Sequence, residues 1–370
     1  MQIAVARESA PGEARVAMVP ELVAKLVVAG YEVAVQPGAG AGALIDDEAY
    51  SAAGASITDE PFGTATLAVS VQPLADAGRA GLRAGATTIS FYPVGALAAD
   101  LELRRQQRLT TFGMEYVPRI SRAQSMDALS SQSLVAGYRG AIVAAGRLRQ
   151  FFPLSMTAAG TVRPAQVVVL GAGVAGLQAI ATCRRLGAVV KGYDVRTAAA
   201  EEIRSMGAIA IDLELPSLEG AGGYAREMTE ERATRQQELL APYVAAADAL
   251  ITTAAVPGRK APLLVTKEMV AAMAPGSVVV DLAAESGGNV AGAIPGEVVE
   301  IACADRPGTV AVWGGANVPS QMPAPASRLY AQNVYNVIML MTRDGAFAPD
   351  FGDEVVAGMC ITRDGEVQAR

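Results

Sequence analysis

Three glycines in the segment VVVLGAGVAG, residues 167–176, have the spacing of a phosphate-binding turn. Gly171, Gly173 and Gly176 follow an apolar, strand-like run and precede a helix-like segment. In such a turn one glycine permits the tight bend, one lets the backbone approach a pyrophosphate, and one lets the helix pack on the strand. Alone the triplet is a weak indication in a chain with 38 glycines. A structural turn without a ligand is the alternative.

A carboxylate strengthens the dinucleotide interpretation. Asp194 ends the next strand-like run, where it can accept hydrogen bonds from both adenosine ribose hydroxyls and repel a 2′-phosphate. This favours NAD(H) over NADP(H). Arg196 instead favours NADP(H), because an arginine at this position can bind a 2′-phosphate. With Asp194 beside it, we expect Arg196 to bind the pyrophosphate or a neighbouring acid.

The segment PRISRAQSMDALSSQ is the second candidate for chemistry. It supplies a cation, a carboxamide, a carboxylate and a hydroxyl, from Arg119, Gln124, Asp127 and Ser130. These groups are suited to orienting a nicotinamide ring and its carboxamide. The alternative is a helix N-terminus in which Ser125 caps and Asp127 balances the dipole. Composition alone favours that alternative.

Acid–base groups for a dehydrogenase acting on an alcohol or amine are missing, because the chain has no histidine. Such enzymes usually move the proton with a histidine, lysine or tyrosine of tuned pKa. The four lysines lie in contexts typical of the surface: Lys25, Lys191, Lys260 and Lys267. We also expect no metal site, since the three cysteines are far apart and form no CxxC pair.

The net charge of −7 and pI of about 4.9 argue against a nucleic-acid partner. No apolar stretch is suited to span a membrane: glycines split residues 164–183, and prolines interrupt residues 307–327. We therefore expect a cytoplasmic protein that does not insert directly into a membrane.

Strand-like and helix-like segments alternate nearly throughout. This pattern predicts an α/β protein with two Rossmann-like, doubly wound parallel-sheet domains joined by long helices. Long helices at Ser130–Phe152 and about Pro325–Thr342 bracket the glycine turn. We therefore expect a discontinuous N-terminal domain, 1–129 plus 307–370, and an NAD(H)-binding domain, 130–306. Pro216–Glu230 is expected to form a long mobile loop.

Five segments together resemble the NAD(H)-binding alpha component, domain I, of proton-translocating NAD(P)+ transhydrogenases, in the alanine dehydrogenase/transhydrogenase superfamily. They are PRISRAQSMDALSSQ, VVVLGAGVAGLQAIATCRRLGA, YDVR, GGYAREM and ITTAAVPGRKAPLLVTKEMV. The resemblance covers nearly the whole chain. Its motifs are more specific than a dinucleotide fingerprint.

The resemblance implies a set of NAD(H)-binding residues. Those at the nicotinamide end are Arg119, Gln124, Asp127 and Ser130; those at the pyrophosphate are Ala172, Gly173 and Val174; those at the adenosine half are Asp194, Val195 and Arg196. Further contacts are implied for Gly223, Tyr224, Gln236 and Ala255. Tyr224 falls on the family's mobile loop, and Gln124 matches the residue that reaches toward the partner's nicotinamide ribose. The catalytic residues that the resemblance implies are Arg119, Gln124, Asp127, Ser130 and Tyr224.

The resemblance also implies hydride transfer from NADH to NADP+ bound on a beta subunit, driven by proton translocation in membrane subunits. It implies a homodimer, a membrane-spanning alpha-2 subunit, and a peripheral position on the cytoplasmic membrane through these partners. Hydride transfer between two nicotinamides takes up and releases no proton at the site, which suits a chain without histidine.

The main alternative is an alanine dehydrogenase-like amino-acid oxidoreductase. The resemblance to that family includes its substrate-binding arginine at Arg15, but its enzymes use a histidine and a lysine on pyruvate. Here Gln72–Pro73 stands where a VKEP-like lysine motif is expected, so a structural role is predicted for Arg15. A non-catalytic NAD(H)-sensing module is the third hypothesis.

Overall fold

The computed structural model describes residues 1–92, 98–216, 229–256 and 258–368. The chain forms two compact units, Met1–Gln132 with Pro319–Arg370, and Ser133–Val318. The later boundary falls at 319 rather than at the expected 307. The reason is that the strand Thr309–Gly314 pairs with the sheet of the second unit.

The first unit is built on one eight-stranded sheet. Its strands are β1 (Gln2–Val5), β2 (Glu32–Val35), β3 (Ser56–Ile57), β4 (Leu67–Val69), β5 (Thr87–Ser90) and β6 (Thr110–Gly113), and further along the chain β18 (Cys360–Arg363) and β19 (Glu366–Val367). The order is β19-β18-β6-β5-β4-β1-β2-β3. Strands β1 to β6 pair in parallel, whereas β18 and β19 are antiparallel.

Helices of the first unit lie between and after these strands. They are α1 (Pro20–Val28), α2 (Asp47–Ala52), α3 (Asp76–Gly81), α4 (Ala98–Gln106), α10 (Pro323–Leu340) and α11 (Glu354–Met359), with a small hairpin of β16 (Thr342–Arg343) and β17 (Ala346–Phe347). The helix α5 (Ala128–Arg147) begins in the first unit and continues in the second.

The second unit has a seven-stranded sheet. Its strands are β9 (Gln166–Leu170), β10 (Val189–Tyr193), β11 (Ile209–Ala210), β12 (Ala249–Thr252), β13 (Val278–Asp281), β14 (Val298–Ala302) and β15 (Thr309–Gly314). The order is β11-β10-β9-β12-β13-β15-β14, and β14 is the antiparallel edge. The helices are α6 (Val174–Arg185), α7 (Ala199–Ser205), α8 (Glu230–Ala245) and α9 (Lys267–Ala271), and β7 (Ser155–Thr157) pairs with β8 (Gly160–Val162) in a separate hairpin.

Both faces of each sheet are covered by a hydrophobic core, and successive apolar residues of a strand enter opposite cores. In β9, Val167 and Val169 enter one core cluster, and Val168 and Leu170 enter the cluster on the other face. Continuous apolar runs of this kind are typical of parallel strands covered by helices on both sides. The predicted α/β class with two doubly wound sheets is therefore confirmed, with antiparallel edge strands added.

Several predicted elements shift at their ends. The first long helix runs from Ala128 to Arg147 rather than from Ser130 to Phe152. The expected loop Pro216–Glu230 lies largely outside the described residues, because 217–228 are not among them. Of the helices that the described ranges contain, none combines the length and hydropathy needed to cross a membrane.

Candidate functional site

The glycine turn joins β9 to α6 in the second unit, and two of its glycines leave no room for a side chain. Gly171 has a φ of +98°, and a Cβ there would lie 2.6 Å from the Thr253 hydroxyl oxygen. Left-handed backbone of this kind favours glycine. At Gly176, in the first turn of α6, a Cβ would lie 1.8 Å from the Gly171 carbonyl oxygen. Helix and strand therefore approach as closely as the sequence predicts.

Gly173 has the opposite environment. Its φ is −72°, and a Cβ at this position would meet no described atom within 4 Å. Among the described residues, no side chain caps α6, and its first turn contains no acidic residue. The N–H groups and the positive dipole end of the helix are thus left for an anion. Val174, the first helical residue, is 41% exposed, whereas Ala172 is buried. A pyrophosphate fits this cradle, which a Cβ at Gly173 would fill.

Asp194 connects the end of β10 to the glycine turn. Its Oδ2 accepts a hydrogen bond from the Ala172 N–H at 2.7 Å. Its Oδ1 accepts from the N–H and Nε of Arg196, both at 2.9 Å. Arg196 also donates to the Ala172 carbonyl oxygen at 3.1 Å. Arg196 therefore pairs with a neighbouring acid, one of the two partners expected for it. Arg196 Nη2 donates to Asp194 Oδ2 as well, at 3.2 Å, so this carboxylate already accepts four hydrogen bonds from the chain. Its contact with ribose hydroxyls stays a prediction.

The other expected contacts in this unit differ in accessibility. Val195 packs against one core cluster, and Ala255 is exposed in the loop after β12. Gln236 is only 1% exposed, and its Oε1 accepts a hydrogen bond from the buried Tyr193 hydroxyl at 3.3 Å. Gln236 therefore holds α8 against β10, and its contact with a nucleotide stays a prediction. Gly223 and Tyr224 lie outside the described residues.

Two functional candidates that the sequence analysis missed lie beneath the loop after β12. Asn289 is fully buried, and its side chain bonds to the backbone of Ala254 and Pro262. Asp281, also fully buried, accepts hydrogen bonds from the Asn289 N–H and the Thr252 hydroxyl. An asparagine directly after two glycines was the available signal.

The Arg119–Ser130 segment belongs to the first unit. Arg119 and Gln124 are exposed, and they lie before and within a 3₁₀ helix, Ser121–Met126. Asp127 accepts hydrogen bonds from the N–H of Ser130 at 2.9 Å and from its hydroxyl at 2.5 Å. This is the arrangement of a helix N-cap, so Asp127 caps α5. The capping role considered for Ser125 is therefore wrong.

Ser125 instead ties this segment to α10. Its carbonyl oxygen accepts hydrogen bonds from the side-chain amides of Asn333 at 2.9 Å and Asn336 at 2.8 Å. Asn333 also accepts a bond from the Ser131 hydroxyl at 2.7 Å. The ion pair between Arg122 and Asp353 holds the same 3₁₀ helix from the exposed side. The backbone is thus anchored while the side chain of Gln124 stays accessible.

Arg15 lies in a buried polar cluster of the first unit. It is 4% exposed, pairs with Glu13 at 2.6 Å, and donates to the Gln132 side chain at 2.8 Å. Gln72 donates to the same Glu13 carboxylate at 2.9 Å. Burial raises the pKa of Glu13, but the hydrogen bonds and charge of Arg15 outweigh it and hold the pKa at about 2. The Arg15 guanidinium is therefore already paired with a carboxylate of the same chain, which agrees with the structural role predicted for it.

Glu8 completes this cluster. Its carboxylate accepts hydrogen bonds from the N–H groups of Val71 at 2.5 Å and Gln72 at 3.2 Å. Burial nevertheless raises the pKa of Glu8 to about 7. No histidine exists to act beside it, and Gln72 offers a neutral carboxamide in place of a lysine.

The described contacts bring the candidate residues together in two groups. One joins Asp127 to Ser130 in the first unit, and the other joins Ala172, Asp194 and Arg196 in the second. Within the described ranges, no three His, Cys, Asp or Glu side chains form a group suited to a metal ion. The second group lies beside a helix N-terminus that no described side chain caps, an environment that suits an anionic ligand.

Comparison with known proteins gives matches over the whole chain. The family models for alanine dehydrogenase/PNT match residues 4–136 with their N-terminal domain and residues 140–370 with their C-terminal domain. An NAD(P) transhydrogenase subunit alpha polypeptide of Rhodospirillum rubrum is 46% identical over 382 residues, covering 99% of this chain and 97% of that protein. Alanine dehydrogenase of Mycobacterium tuberculosis is 32% identical, covering 80% and 76%.

A solved structure agrees with these matches. The crystal structure of transhydrogenase from Sinorhizobium meliloti has a TM-score of 0.89 and 43% sequence identity, covering all of both chains. The likeness therefore extends from one end of the chain to the other.

Proposed function

The chain belongs to the alanine dehydrogenase/PNT family, and we propose that it is the NAD(H)-binding alpha subunit of a proton-translocating transhydrogenase. It passes hydride from NADH to NADP+ bound on a beta subunit. A membrane-spanning alpha-2 subunit completes the complex and keeps this chain peripheral to the cytoplasmic membrane. The subunit names of the relatives support these partners.

The observation that carries the proposal is a dinucleotide cradle in a chain that has no histidine and whose Arg15 is already paired with Glu13. Gly173 opens the cradle, and Asp194 lies beside it. An amino-acid dehydrogenase of this family uses a histidine and an arginine that is available to bind the substrate. This chain has no histidine, and its Arg15 forms an ion pair with Glu13. A reaction without proton exchange fits these residues best.

The residues of this chain then act by positioning. When bound, NADH supplies a hydride that NADP+ on the partner accepts, with no proton released at this step. The glycine turn holds the pyrophosphate, and Asp194 holds the adenosine ribose. Arg119 and Gln124 present a cation and a carboxamide for the nicotinamide end, and Asp127 and Ser130 fix the start of α5 behind them. Such positioning supplies much of the rate in a transfer between two bound rings.

The decisive experiment mixes this chain with an isolated NADP(H)-binding domain of a beta subunit. NADH and an acetylpyridine analogue of NADP+ are added, and reduction of the analogue is followed by absorbance. We expect hydride transfer that requires both proteins. Oxidation of NADH by pyruvate and ammonium with this chain alone would establish the alanine dehydrogenase alternative. Binding of NADH without transfer would establish the sensing alternative.

We also propose that two copies associate through the β7–β8 hairpin. Phe151, Leu154, Met156 and Val162 are 57%, 56%, 76% and 37% exposed around it, and such exposed apolar groups commonly mark interfaces. Met156→Asp should shift the chain toward monomer in sedimentation velocity. Met206→Asp, at a 41% exposed methionine of the same unit, is the control. An unchanged sedimentation profile for Met156→Asp would place the interface elsewhere.

A further inference from the structure

The loop after β12 is fastened from within the second unit by one asparagine. The Asn289 side chain donates to the carbonyl oxygens of Ala254 and Pro262, both at 2.8 Å, and accepts from the Ala254 N–H at 2.9 Å. Two further bonds run from the N–H groups of Leu264 and Val265 to the Asn289 carbonyl oxygen. Both ends of the loop that contains Ala255 are therefore held by a single buried residue.

Asp281 holds the backbone around Asn289 in place. Its Oδ2 accepts hydrogen bonds from the N–H groups of Asn289 at 2.8 Å and Val290 at 3.0 Å, and its Oδ1 accepts from the Thr252 hydroxyl at 3.0 Å. The preceding Gly288 has a φ of +79°, and a Cβ there would lie 3.1 Å from Asp281 Oδ2. The backbone thus bends closely around the carboxylate, and the Asn289 side chain is directed into the loop.

The fastened loop also adjoins the glycine turn. The Thr253 hydroxyl donates to the Gly171 carbonyl oxygen at 3.1 Å, and the Thr253 N–H donates to the Leu170 carbonyl oxygen at 2.8 Å. Ala255 then emerges as an exposed residue two positions later. The hydrogen bonds of Asn289 therefore fix the position of Ala255 relative to the glycine turn.

We propose that Asn289 is a positioning residue that presets the loop after β12 for the nicotinamide half of the dinucleotide. This inference rests on the proposed NAD(H) binding. The sheet order reverses between β9 and β12, and ligands of such sheets bind across that point. Asp194 follows β10 on the adenosine side, whereas Ala254 and Asn289 lie on the side of β12 and β13. A loop ordered before binding loses less conformational freedom when the ligand arrives.

The test compares two ligands on one set of variants of the full chain. NADH contains both halves of the dinucleotide, and 5′-AMP contains only the adenosine half. Asn289→Ala removes all three side-chain hydrogen bonds and should raise the dissociation constant for NADH about tenfold or more. The dissociation constant for AMP should stay unchanged. Calorimetry measures both constants, and fluorescence of the reduced nicotinamide provides a second measurement for NADH.

The control is Val310→Ala. Val310 is fully buried in β15 of the same unit, near the amino end of the strand and so away from the edge where the loop emerges. It should lower thermal stability while leaving both dissociation constants unchanged. If Asn289→Ala does not fold, Asn289→Ser replaces it, since a shorter hydroxyl side chain still loses most of the three bonds. It should raise the NADH constant in the same selective way.

Equal losses of NADH and AMP affinity would overturn the inference, because they would mean that Asn289 only maintains the fold. Unchanged NADH affinity in both Asn289 variants would overturn it as well. Failure of the unaltered chain to bind NADH would instead remove the proposed function itself, so the two failures are distinguishable.

Discussion

The glycine turn and the Arg119–Ser130 segment contribute to the proposed reaction in different ways. In the glycine turn the function lies in the backbone: Gly171 and Gly176 have no room for side chains, and Gly173 leaves open space. In the Arg119–Ser130 segment the backbone is anchored from α10, and the function lies in exposed side chains such as Gln124. A binding site built from backbone constrains residue type at each position, whereas a site built from exposed side chains does not.

This difference explains why the fingerprint is easier to recognise than the segment that orients the ring. Steric exclusion at 1.8 Å admits one residue type, so Gly176 is specified by the fold alone. Nothing in the fold specifies an exposed carboxamide at Gln124, which becomes meaningful only through a ligand or a partner. Substitutions in the glycine turn should therefore affect stability and binding, whereas substitutions in the Arg119–Ser130 segment should affect the rate of hydride transfer.

The largest effect is expected at Gly176. Gly176→Ala forces a Cβ against the Gly171 carbonyl oxygen, and we expect the second unit to lose more than about 3 kcal/mol of unfolding free energy, together with NADH binding. Gly173→Ala should fold, with a loss of about 1 kcal/mol at most from a poorer helix cap. It should still lose NADH affinity. Urea unfolding and NADH titration measure the two effects. A stable Gly176→Ala chain would contradict the steric account.

The next effect concerns pH and the first unit. Because burial raises the pKa of Glu8 from 4.5 to about 7, its protonated form is favoured in the folded chain. Its stabilising contribution is therefore complete below pH 4.5 and is lost as the pH rises through 7. The loss should approach about 3 kcal/mol by pH 8. Urea unfolding of the unaltered chain and Glu8→Gln at pH 5 and pH 8 checks this.

The difference between these two chains isolates Glu8. Glu13 does not titrate in this interval, because its pKa is about 2. Glu8→Gln should flatten the pH dependence between 5 and 8. If the unfolding free energy of Glu8→Gln still falls as steeply between pH 5 and pH 8, the group that titrates is not Glu8.

A kinetic effect is expected at Gln124. Gln124→Asn shortens an exposed side chain, so stability and NADH affinity should change little. Hydride transfer to a beta-subunit domain should slow by roughly tenfold to a hundredfold, because small displacements of reacting groups are costly. Asp127→Asn should behave similarly, since asparagine also caps helices. Single-turnover kinetics and NADH titration separate the two steps. If the transfer rate and the NADH affinity fall by the same factor, these residues contribute to NADH binding alone.

Much of the fold could be predicted from the sequence, because the apolar runs of β9 and β12 and the turn at Gly171 are local signals. The edge strands β14, β18 and β19 were not predicted: β18 pairs with the distant β6, whereas β14 and β19 are short strands that pair with the neighbouring β15 and β18. The same limit applies to the sites. Asp194 lies at a fixed distance from a recognisable turn, whereas Asn289 bonds to Ala254 across 35 residues, and no local pattern shows which loop a buried asparagine holds.

The smallest effect tests whether the anchors of the Arg119–Ser130 segment matter as much as its exposed groups. Asn333→Ala removes one of two amides that hold the Ser125 carbonyl oxygen, and also the partner of the Ser131 hydroxyl. We expect hydride transfer to slow on the order of fivefold, and less for Asn336→Ala, which removes only the other amide. NADH affinity should be unchanged in both.

Leu329→Ala is the matched control for these variants. Leu329 lies on the same helix, α10, is 37% exposed, and has an apolar side chain that forms no hydrogen bond to Ser125, Asn333 or Asn336. Its transfer rate should equal that of the unaltered chain in the same single-turnover assay. If hydride transfer is equally fast with Asn333→Ala, the exposed side chains of the Arg119–Ser130 segment do not need the anchored backbone. If it weakens NADH binding as Asn289→Ala is expected to do, the two regions are not separable into one that binds and one that orients.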